Sequence, residues 1–510
     1  MQRRPEEGVV YLVGAGPSDA ELITVKGKRL LEEADVIVYD RLVGNSILSY
    51  GNKEAKYIDV GKRSGYHPIV QEEINQILVD EAKKGGKVVR LKGGDPLVFG
   101  RGAEEAEYLN SQGIAFEIVP GITSAVSVPA YLGIPVTHRD KASSFHVVTA
   151  HKKDGSFPEI AYHALTEGGG TLVFLMGVHT IKSVAEGLMK SKMPPETPAA
   201  ILERGTTARQ RKIKGTIGNI ARKAKEENVQ SPAIILVGQA ASEEQMEWYD
   251  KRPLAGRKFV VTRPREQKDK LTALLREKGA EVLEAPTIRI VPIQENTALD
   301  AALENLEDYG WIVFTSPTGV EVFRDYLKKH SIDNRKFCHL KFAAIGEGTA
   351  GKMKEWGFYP DLMPEIYDSV HLAKTLTEHV DKDEKILLPR ARMGSRELTD
   401  ILEEAGISVA DLPLYDTCYE AQSFIDLKKE FEQGISDYAI FTSASTVRGF
   451  VKAASDLDLS KVTALCIGEK TEEEARKSGM ITYTARQADI KSLVLMAEEM
   501  ENPWADRKKC

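Results

Sequence analysis

The chain has 510 residues, 42% hydrophobic and 28% charged, and a net charge of −7. That length exceeds one ordinary core and calls for about two to four domains, while the acidic balance argues against a surface that coats nucleic acid. No apolar run reaches the ~20 residues of a bilayer span, and Met1–Gly8 leads into a strand rather than a signal-peptide core, so the sequence reads as cytosolic, with no membrane or nucleic-acid partner.

In chain order, Val9–Gly16 is an apolar strand breaking into glycines, followed by Pro17, Ser18 and Asp19 and a helical run from Leu22 to Ala34. Asp19 stands where a dinucleotide fingerprint needs its third glycine, which disfavours a nicotinamide or flavin. Val36–Tyr39 reads as a strand whose carboxyl end carries Asp40 and Arg41, where catalytic groups of α/β proteins gather. The loop Val60–Pro68 crowds Lys62, Arg63 and His67, and the spacing of Ile74, Ile77, Leu78 and Ala82 predicts a helix over Gln71–Lys84. Val88–Lys92 is a short buried strand that stops at Gly93 and Gly94. Without side chains there, a ligand can approach the backbone, and Asp95 offers acceptors for ribose hydroxyls or an amine; an ordinary turn is the other reading. Pro120, Gly121, Thr123 and Ser124 mark a further strand-to-helix junction, and Thr137–Asp140 adds His138 and Arg139 without metal spacing. Leu172–Met176 and Ala233–Gly238 are later strands, with turns at Gly177 and Gly205. The four cysteines, Cys338, Cys418, Cys466 and Cys510, stand singly, indicating neither a zinc site nor a disulfide framework.

The segments VYLVGAGPSDAELITVKG, VIVYDRLV, GKRSGYHP, VVRLKGGDPLVFGRG, PGITSA, GIPVTHRD and LVFLMG resemble, in order and spacing, the uroporphyrinogen-III C-methyltransferases of the tetrapyrrole methylase family, from about Val9 to Gly238. That resemblance implies a two-lobed α/β homodimer binding S-adenosylmethionine between its lobes. By position, the cofactor contacts are Pro17, Gly93, Gly94, Asp95, Val98, Thr123, Ser124, Met176 and Gly205; Asp40 matches the proton acceptor and Lys62 the proton donor. Two departures are Ser18, for a usual Gly, and Ser124, where some members have Ala. The residue types suit the chemistry: carbon methylation needs a base for the released proton, and a carboxylate-rich substrate suits the forks of Arg41, Arg63, Arg101 and Arg139.

Residues 241–255 are polar, contain Pro253 and read as a linker. Beyond it, Arg263, Arg265, Leu271, Thr272 and Gly279 recur at one constant offset as Arg390, Arg392, Leu398, Thr399 and Gly406, and Phe314-Thr315-Ser316 recurs at the same offset as Phe441-Thr442-Ser443. Duplication implies two similar α/β lobes around a cleft, with hydroxyls and backbone amides turned toward anions; helix capping is the plainer explanation of those hydroxyls. GRKFVVTRPR, WIVFTSPTGVEVF, FAAIGEGTA, LLPRARMGSREL, LPLYDT and AIFTSASTV resemble uroporphyrinogen-III synthase across about 256–503. The resemblance implies cofactor-free closure of hydroxymethylbilane with inversion of the last ring. It places Tyr415 near the departing hydroxyl, Thr442 and Ser443 on substrate carboxylates, with Arg263 and Arg390 in the same cleft. Each lobe is expected to be discontinuous, because that family's chain crosses twice between lobes.

The expected whole is an α/β protein: a two-lobed tetrapyrrole methylase domain over 1–240, a linker over 241–255 and a two-lobed synthase domain over 256–510. It would cyclise hydroxymethylbilane and methylate the product twice to precorrin-2, for sirohaem or cobalamin. Two alternatives stay open: a methylase of a later precorrin, and a second half that only senses a ligand.

Overall fold

The computed structural model describes residues 8–61, 69–150, 159–264 and 269–500. Lys62, Arg63, His67, Arg265 and Cys510 lie outside them. The first sheet is parallel throughout, built from β1 (Val9–Gly14), β2 (Val36–Tyr39), β3 (Lys56–Asp59), β4 (Lys87–Lys92) and β5 (Ala115–Val119), in the order β3-β2-β4-β1-β5. Its central strands are largely apolar on both faces because helices cover both. In β4, Val88 packs with Leu12 and Val38 beneath the helix Gln71–Lys83, while Val89 and Leu91 point to the opposite core with Leu31 and Ile47. The helix expected over 22–34 begins later, at Val25, because the Thr24 side chain caps it.

A second, mixed sheet follows: β6 (Phe145–Thr149), β7 (Thr171–Leu175), β8 (Pro198–Glu203), β9 (Arg211–Thr216) and β10 (Ala233–Val237), in the order β6-β7-β10-β8-β9. The helix Ser124–Tyr131 leads out of the first sheet and packs Ala125 and Val128 against β7 and β8 residues of the second.

The segment expected to be a linker is fixed in place. Trp248 and Tyr249 pack their rings on Tyr131, the Trp248 indole donates to the Ala130 carbonyl at 2.9 Å, and the Tyr249 hydroxyl donates to Gly279 O at 3.2 Å. Two aromatic bodies outweigh the polarity of their neighbours.

In the second half, β11 (Lys258–Val261) and β12 (Glu281–Glu284) start a third sheet. The chain then crosses into a fourth, with β13 (Ile288–Pro292), β14 (Trp311–Phe314), β15 (Lys341–Ala344), β16 (Lys385–Ala391) and β17 (Ser408–Tyr419). It returns to the third for β18 (Tyr438–Phe441), β19 (Thr463–Cys466) and β20 (Ile481–Thr484). The orders are β12-β11-β18-β19-β20 and β13-β17-β16-β14-β15. Four of the five strands in each order match: β12 with β17, β11 with β16, β18 with β14, β19 with β15. Of these four, each lobe takes two from each copy of the repeat. Antiparallel β13 and β17 form the crossing ribbon, where Glu420 N donates to Thr287 O and the Thr287 hydroxyl to Thr446 O.

The halves of the chain also touch directly. Ser46 Oγ donates to Val282 O at 2.8 Å, Ser49 Oγ to Glu284 at 3.2 Å, and the Tyr57 and Phe424 rings lie 4.9 Å apart.

Candidate functional site

The turns after β1, β4 and β5 meet at one carboxyl edge. Gly16 and Gly94 exchange backbone hydrogen bonds of 3.1 and 2.7 Å, and Ala15 N donates to Lys92 O at 2.7 Å. A Cβ on Gly121 would meet Gly94 O at 2.2 Å, and one on Gly14 would meet Gly121 at 2.5 Å, so these chains approach more closely than any side chain permits. Gly94 has φ +69°, and the space where its Cβ would stand holds nothing nearer than Ser124 N and Thr123 Cα at 4.0 Å. This leaves an open, backbone-lined cradle.

Asp95 closes the cradle's frame. Its Oδ1 accepts from Leu97 N at 2.8 Å and its Oδ2 from Gly121 N at 3.0 Å, tying the β4 turn to the β5 turn. Asp95 thus builds the turn, and each of its oxygens keeps capacity for a further hydrogen bond. Thr123 caps the helix Ser124–Tyr131 by accepting from Ala125 N. Pro17 is buried beside the first turn, and Ser18 N donates to Thr206 Oγ1 at 3.0 Å, which draws the Gly205 loop of the second sheet to the first. Gly205 lies against Val128, which a Cβ would strike at 2.3 Å. Met176, half exposed at φ +57°, follows β7 directly. Leu42, Leu97, Val98 and Phe99 form an exposed apolar rim by the β4 turn.

Asp40 ends β2, next to β4 in the sheet, and its partner escaped the sequence reading. Arg90 Nη2 donates to Asp40 Oδ1 at 2.7 Å and Arg90 Nε to Glu105 Oε1 at 3.1 Å; Lys92 Nζ reaches the same Glu105 oxygen at 2.8 Å. The side chains of Arg90, Lys92 and Glu105 are 2%, 3% and 0% exposed, against 31% for Asp40, so of the four only Asp40 opens to solvent. Burial alone would lower the Arg90 pKa, but the two carboxylates outweigh it and raise it; burial and then Arg90 lower that of Lys92. The two cations balance Asp40 and Glu105. A signal was present in the sequence: Arg90 and Lys92 share one face of an otherwise apolar buried strand, and such charges require a carboxylate.

Three of the predicted substrate arginines of the first half lie among the described residues. Arg41 is exposed beside Gly61, and Arg101 pairs with Glu104 at 2.6 Å, which raises its pKa. Arg139 is exposed in the segment between the two sheets.

The synthase-like residues fall on both lobes. A cleft of about 230 Å³ on the fourth-sheet lobe is lined by Ser316, Arg390, Ser395 and Tyr415 among others. Tyr415 lies inside β17, which continues to Tyr419 rather than ending there, opposite a register shift at Arg390/Ala391. Its hydroxyl lies 3.2 Å from Ser316 Oγ; burial raises its pKa, and the Ser316 and Thr318 hydrogen bonds oppose that. Arg390 spends its Nε and Nη2 on Asp411 at 2.7 and 2.6 Å and Nη1 on Ser395 O, leaving two N–H bonds for the cleft. Thr442 and Ser443 end β18 on the other lobe, where Ser443 caps the helix Ala444–Ala453. Arg263, also there, has its pKa lowered by burial, which the charge of Glu321 on the fourth-sheet lobe opposes.

Residues 9–221 match the family of tetrapyrrole (corrin/porphyrin) methylases and residues 269–495 the uroporphyrinogen-III synthase family HemD. A porphyrin biosynthesis protein HemD of Ruminiclostridium josui is 45% identical over 490 residues, covering 96% of this chain and 97% of that one. An S-adenosyl-L-methionine-dependent uroporphyrinogen III methyltransferase of Methanosarcina barkeri is 53% identical over 233 residues, 45% of this chain and 91% of that one. A uroporphyrin-III C-methyl transferase structure from Thermus thermophilus, complexed with S-adenosyl homocysteine, is 36% identical over 47% of this chain and 98% of that one, with a TM-score of 0.41. With both family matches in tandem and a relative aligned end to end, the chain belongs to the fused methylase–synthase proteins of tetrapyrrole biosynthesis, a tetrapyrrole methylase followed by a uroporphyrinogen-III synthase.

Proposed function

We propose that residues 1–240 methylate uroporphyrinogen III twice to precorrin-2 and that residues 256–510 make that substrate by closing hydroxymethylbilane, with 241–255 as the joint between them. The observation that carries the first assignment is the backbone-lined cradle at Gly94 beside the Asp40–Arg90 pair. When bound, S-adenosylmethionine supplies an electrophilic methyl group. Pro17, Gly93, Gly94, Asp95, Val98, Thr123, Ser124, Met176 and Gly205 are the residues proposed to hold it; a cradle left open at Gly94 suits a ligand lying against backbone.

Asp40 takes the proton released when the methylated carbon returns to conjugation. Arg90 fixes the direction of that carboxylate through its 2.7 Å hydrogen bond, while the exposed third of Asp40 faces the substrate. The apolar rim of Leu42, Leu97 and Phe99 suits a macrocycle face, and Arg41, Arg63, Arg101 and Arg139 suit its carboxylates. Lys62 is the proposed proton donor.

In the second half, Tyr415 donates a hydrogen bond to the departing hydroxyl. Arg263, Arg390, Thr442 and Ser443 hold carboxylates from the two sides of the cleft, so that the bilane folds for inverted closure. Among the described residues no helix is long and apolar enough to cross a membrane. The protein is proposed to act in the cytoplasm as a homodimer through its first half, feeding sirohaem or cobalamin synthesis. Incubation with hydroxymethylbilane and S-adenosylmethionine, with products identified by mass, should give precorrin-2; accumulation of uroporphyrinogen III without methylated product would refute the first assignment.

A further inference from the structure

The loop between β8 and β9, residues 204–210, belongs to two places at once. On one side Thr206 Oγ1 accepts from Ser18 N in the first glycine turn, and Gly205 rests on Val128. Its backbone is held where side-chain-bearing residues seldom go: Arg204 has φ +48° and Thr206 φ +65°. Such conformations persist only where the surroundings impose them.

On the other side the surroundings are the synthase half. Ala208 N donates to Glu281 Oε2 at 2.7 Å. The Arg209 guanidinium, 8% exposed, donates to the carbonyls of Gly256, Gly434 and Ile435 and to Asp437 Oδ1, the last at 2.7 Å. This charge has left water with its hydrogen bonds met and a carboxylate beside it, as a buried cation must.

From this arrangement we infer that Arg209 is a positioning residue for the methylase, through which the synthase half holds the Gly205 loop in the shape that receives S-adenosylmethionine. The inference rests on the proposed placement of the cofactor at Gly205. The direction of the contact also says what it transmits. Glu281 begins β12, while Gly256 and Asp437 precede β11 and β18, so the clamp grips the amino ends of the third sheet. Arg263, Thr442 and Ser443 stand at its carboxyl ends, a strand of roughly 13 Å away at about 3.3 Å per residue. The clamp passes position from one half to the other, and substrate does not cross there.

The test is S-adenosylhomocysteine binding by calorimetry on the full chain. Arg209→Met should weaken binding on the order of fivefold or more, the usual scale of coupling between sites. KM for S-adenosylmethionine should rise accordingly, kcat at saturation should hold, and bilane cyclisation should be unchanged. Arg209→Lys, which keeps a charge for Asp437 but loses the fork to the carbonyls, should fall between. Thr206→Val, which breaks the bond to Ser18 within the methylase, separates the two ideas. If it weakens binding and Arg209→Met does not, the clamp is overturned. If neither changes binding, the loop is not at the cofactor, and the site assignment falls along with the inference. Should Arg209→Met fail to fold, Glu281→Ala removes the acceptor of Ala208 N, and the same weakening is expected; unchanged affinity there overturns the clamp equally.

Discussion

The two halves of the chain handle charge in opposite ways. In the methylase half the proposed reactive groups are gathered and locked: three turns share one edge of one sheet, and Asp40 is wired through buried Arg90 to Glu105 and Lys92. In the synthase half they are divided between two lobes, with Arg263, Thr442 and Ser443 on one and Arg390 and Tyr415 on the other. The difference follows the tasks. A proton must leave one carbon for one base, which rewards a fixed carboxylate. Folding a flexible bilane rewards many weak contacts on surfaces that can approach each other. Single substitutions should therefore be severe in the first half and graded in the second.

The severest should be Asp40→Asn. As the base for carbon methylation it should cost on the order of 10²–10⁴ in turnover, with S-adenosylhomocysteine affinity and cyclisation unchanged. Rapid-quench product formation with calorimetry on the same preparation checks it. An Asn variant of normal turnover would remove Asp40 from the chemistry and with it the contrast between the halves.

Next is Glu105→Gln, which leaves Arg90 and Lys92 without their shared counter-charge. Breaking a buried ion pair costs about 3–5 kcal/mol, read as a lowered denaturant midpoint. The pH dependence has a definite sign. Lys92 has its folded-state pKa lowered below 10.5 by burial and Arg90, so between that lowered value and 10.5 the unfolded chain binds more protons, and stability contributed by this group rises with pH. Without Glu105 the lowering deepens. The variant's deficit should therefore shrink as pH is raised toward 10.5, and a deficit that grows instead would contradict the placement of Lys92.

How these features appear in the sequence differs with their range. The strand-turn units were legible because the run of Val88 and Val89 ending at Gly93-Gly94 carries its own punctuation. The ion cluster was not, because its members come from β2, β4 and the helix Gly102–Ser111, joined only once the sheet order brings β2 beside β4. The repeat was legible in Arg263/Arg390 and the two FTS turns. That its copies exchange strands between lobes came from family resemblance, since offset is blind to pairing. Residues 241–255 read as a linker on polarity, yet Trp248 and Tyr249 anchor them to Tyr131. Arg209 carried no local signal at all, its partners lying in the other half of the chain.

A milder effect is expected at Asp95. Asp95→Ala removes acceptors for both Leu97 N and Gly121 N and any bond to ligand, so S-adenosylmethionine binding should weaken by about 1–3 kcal/mol. Asp95→Asn, which keeps one acceptor oxygen, sharpens the result: a loss as large as in Ala assigns the charge itself to the ligand, and near-recovery assigns Asp95 to holding the two turns together. Unchanged affinity in both would place the cofactor elsewhere.

The smallest effect should come from Tyr415→Phe, and its smallness is informative. Tyr415 is buried at 5% exposure, its hydroxyl 3.2 Å from Ser316 Oγ in the fourth-sheet cleft, and burial raises its pKa above 10 against the Ser316 and Thr318 hydrogen bonds. With its pKa raised, the phenol keeps a proton to donate to the departing hydroxyl. The group it is proposed to serve departs readily unaided, because hydroxymethylbilane closes spontaneously to the uninverted ring. One hydrogen bond of about 0.5–1.5 kcal/mol then bounds its share, a factor of roughly two to ten in the rate of type III formation. Folding should be intact, since the ring stays packed, and methyl transfer from supplied uroporphyrinogen III should keep its rate. Chromatographic separation of type I and type III products at several pH values decides. A modest slowing with no limb below pH 10 fits a neutral donor within a shared task. A loss of several orders of magnitude would make the synthase half as dependent on one residue as the methylase half, and the contrast between them would break.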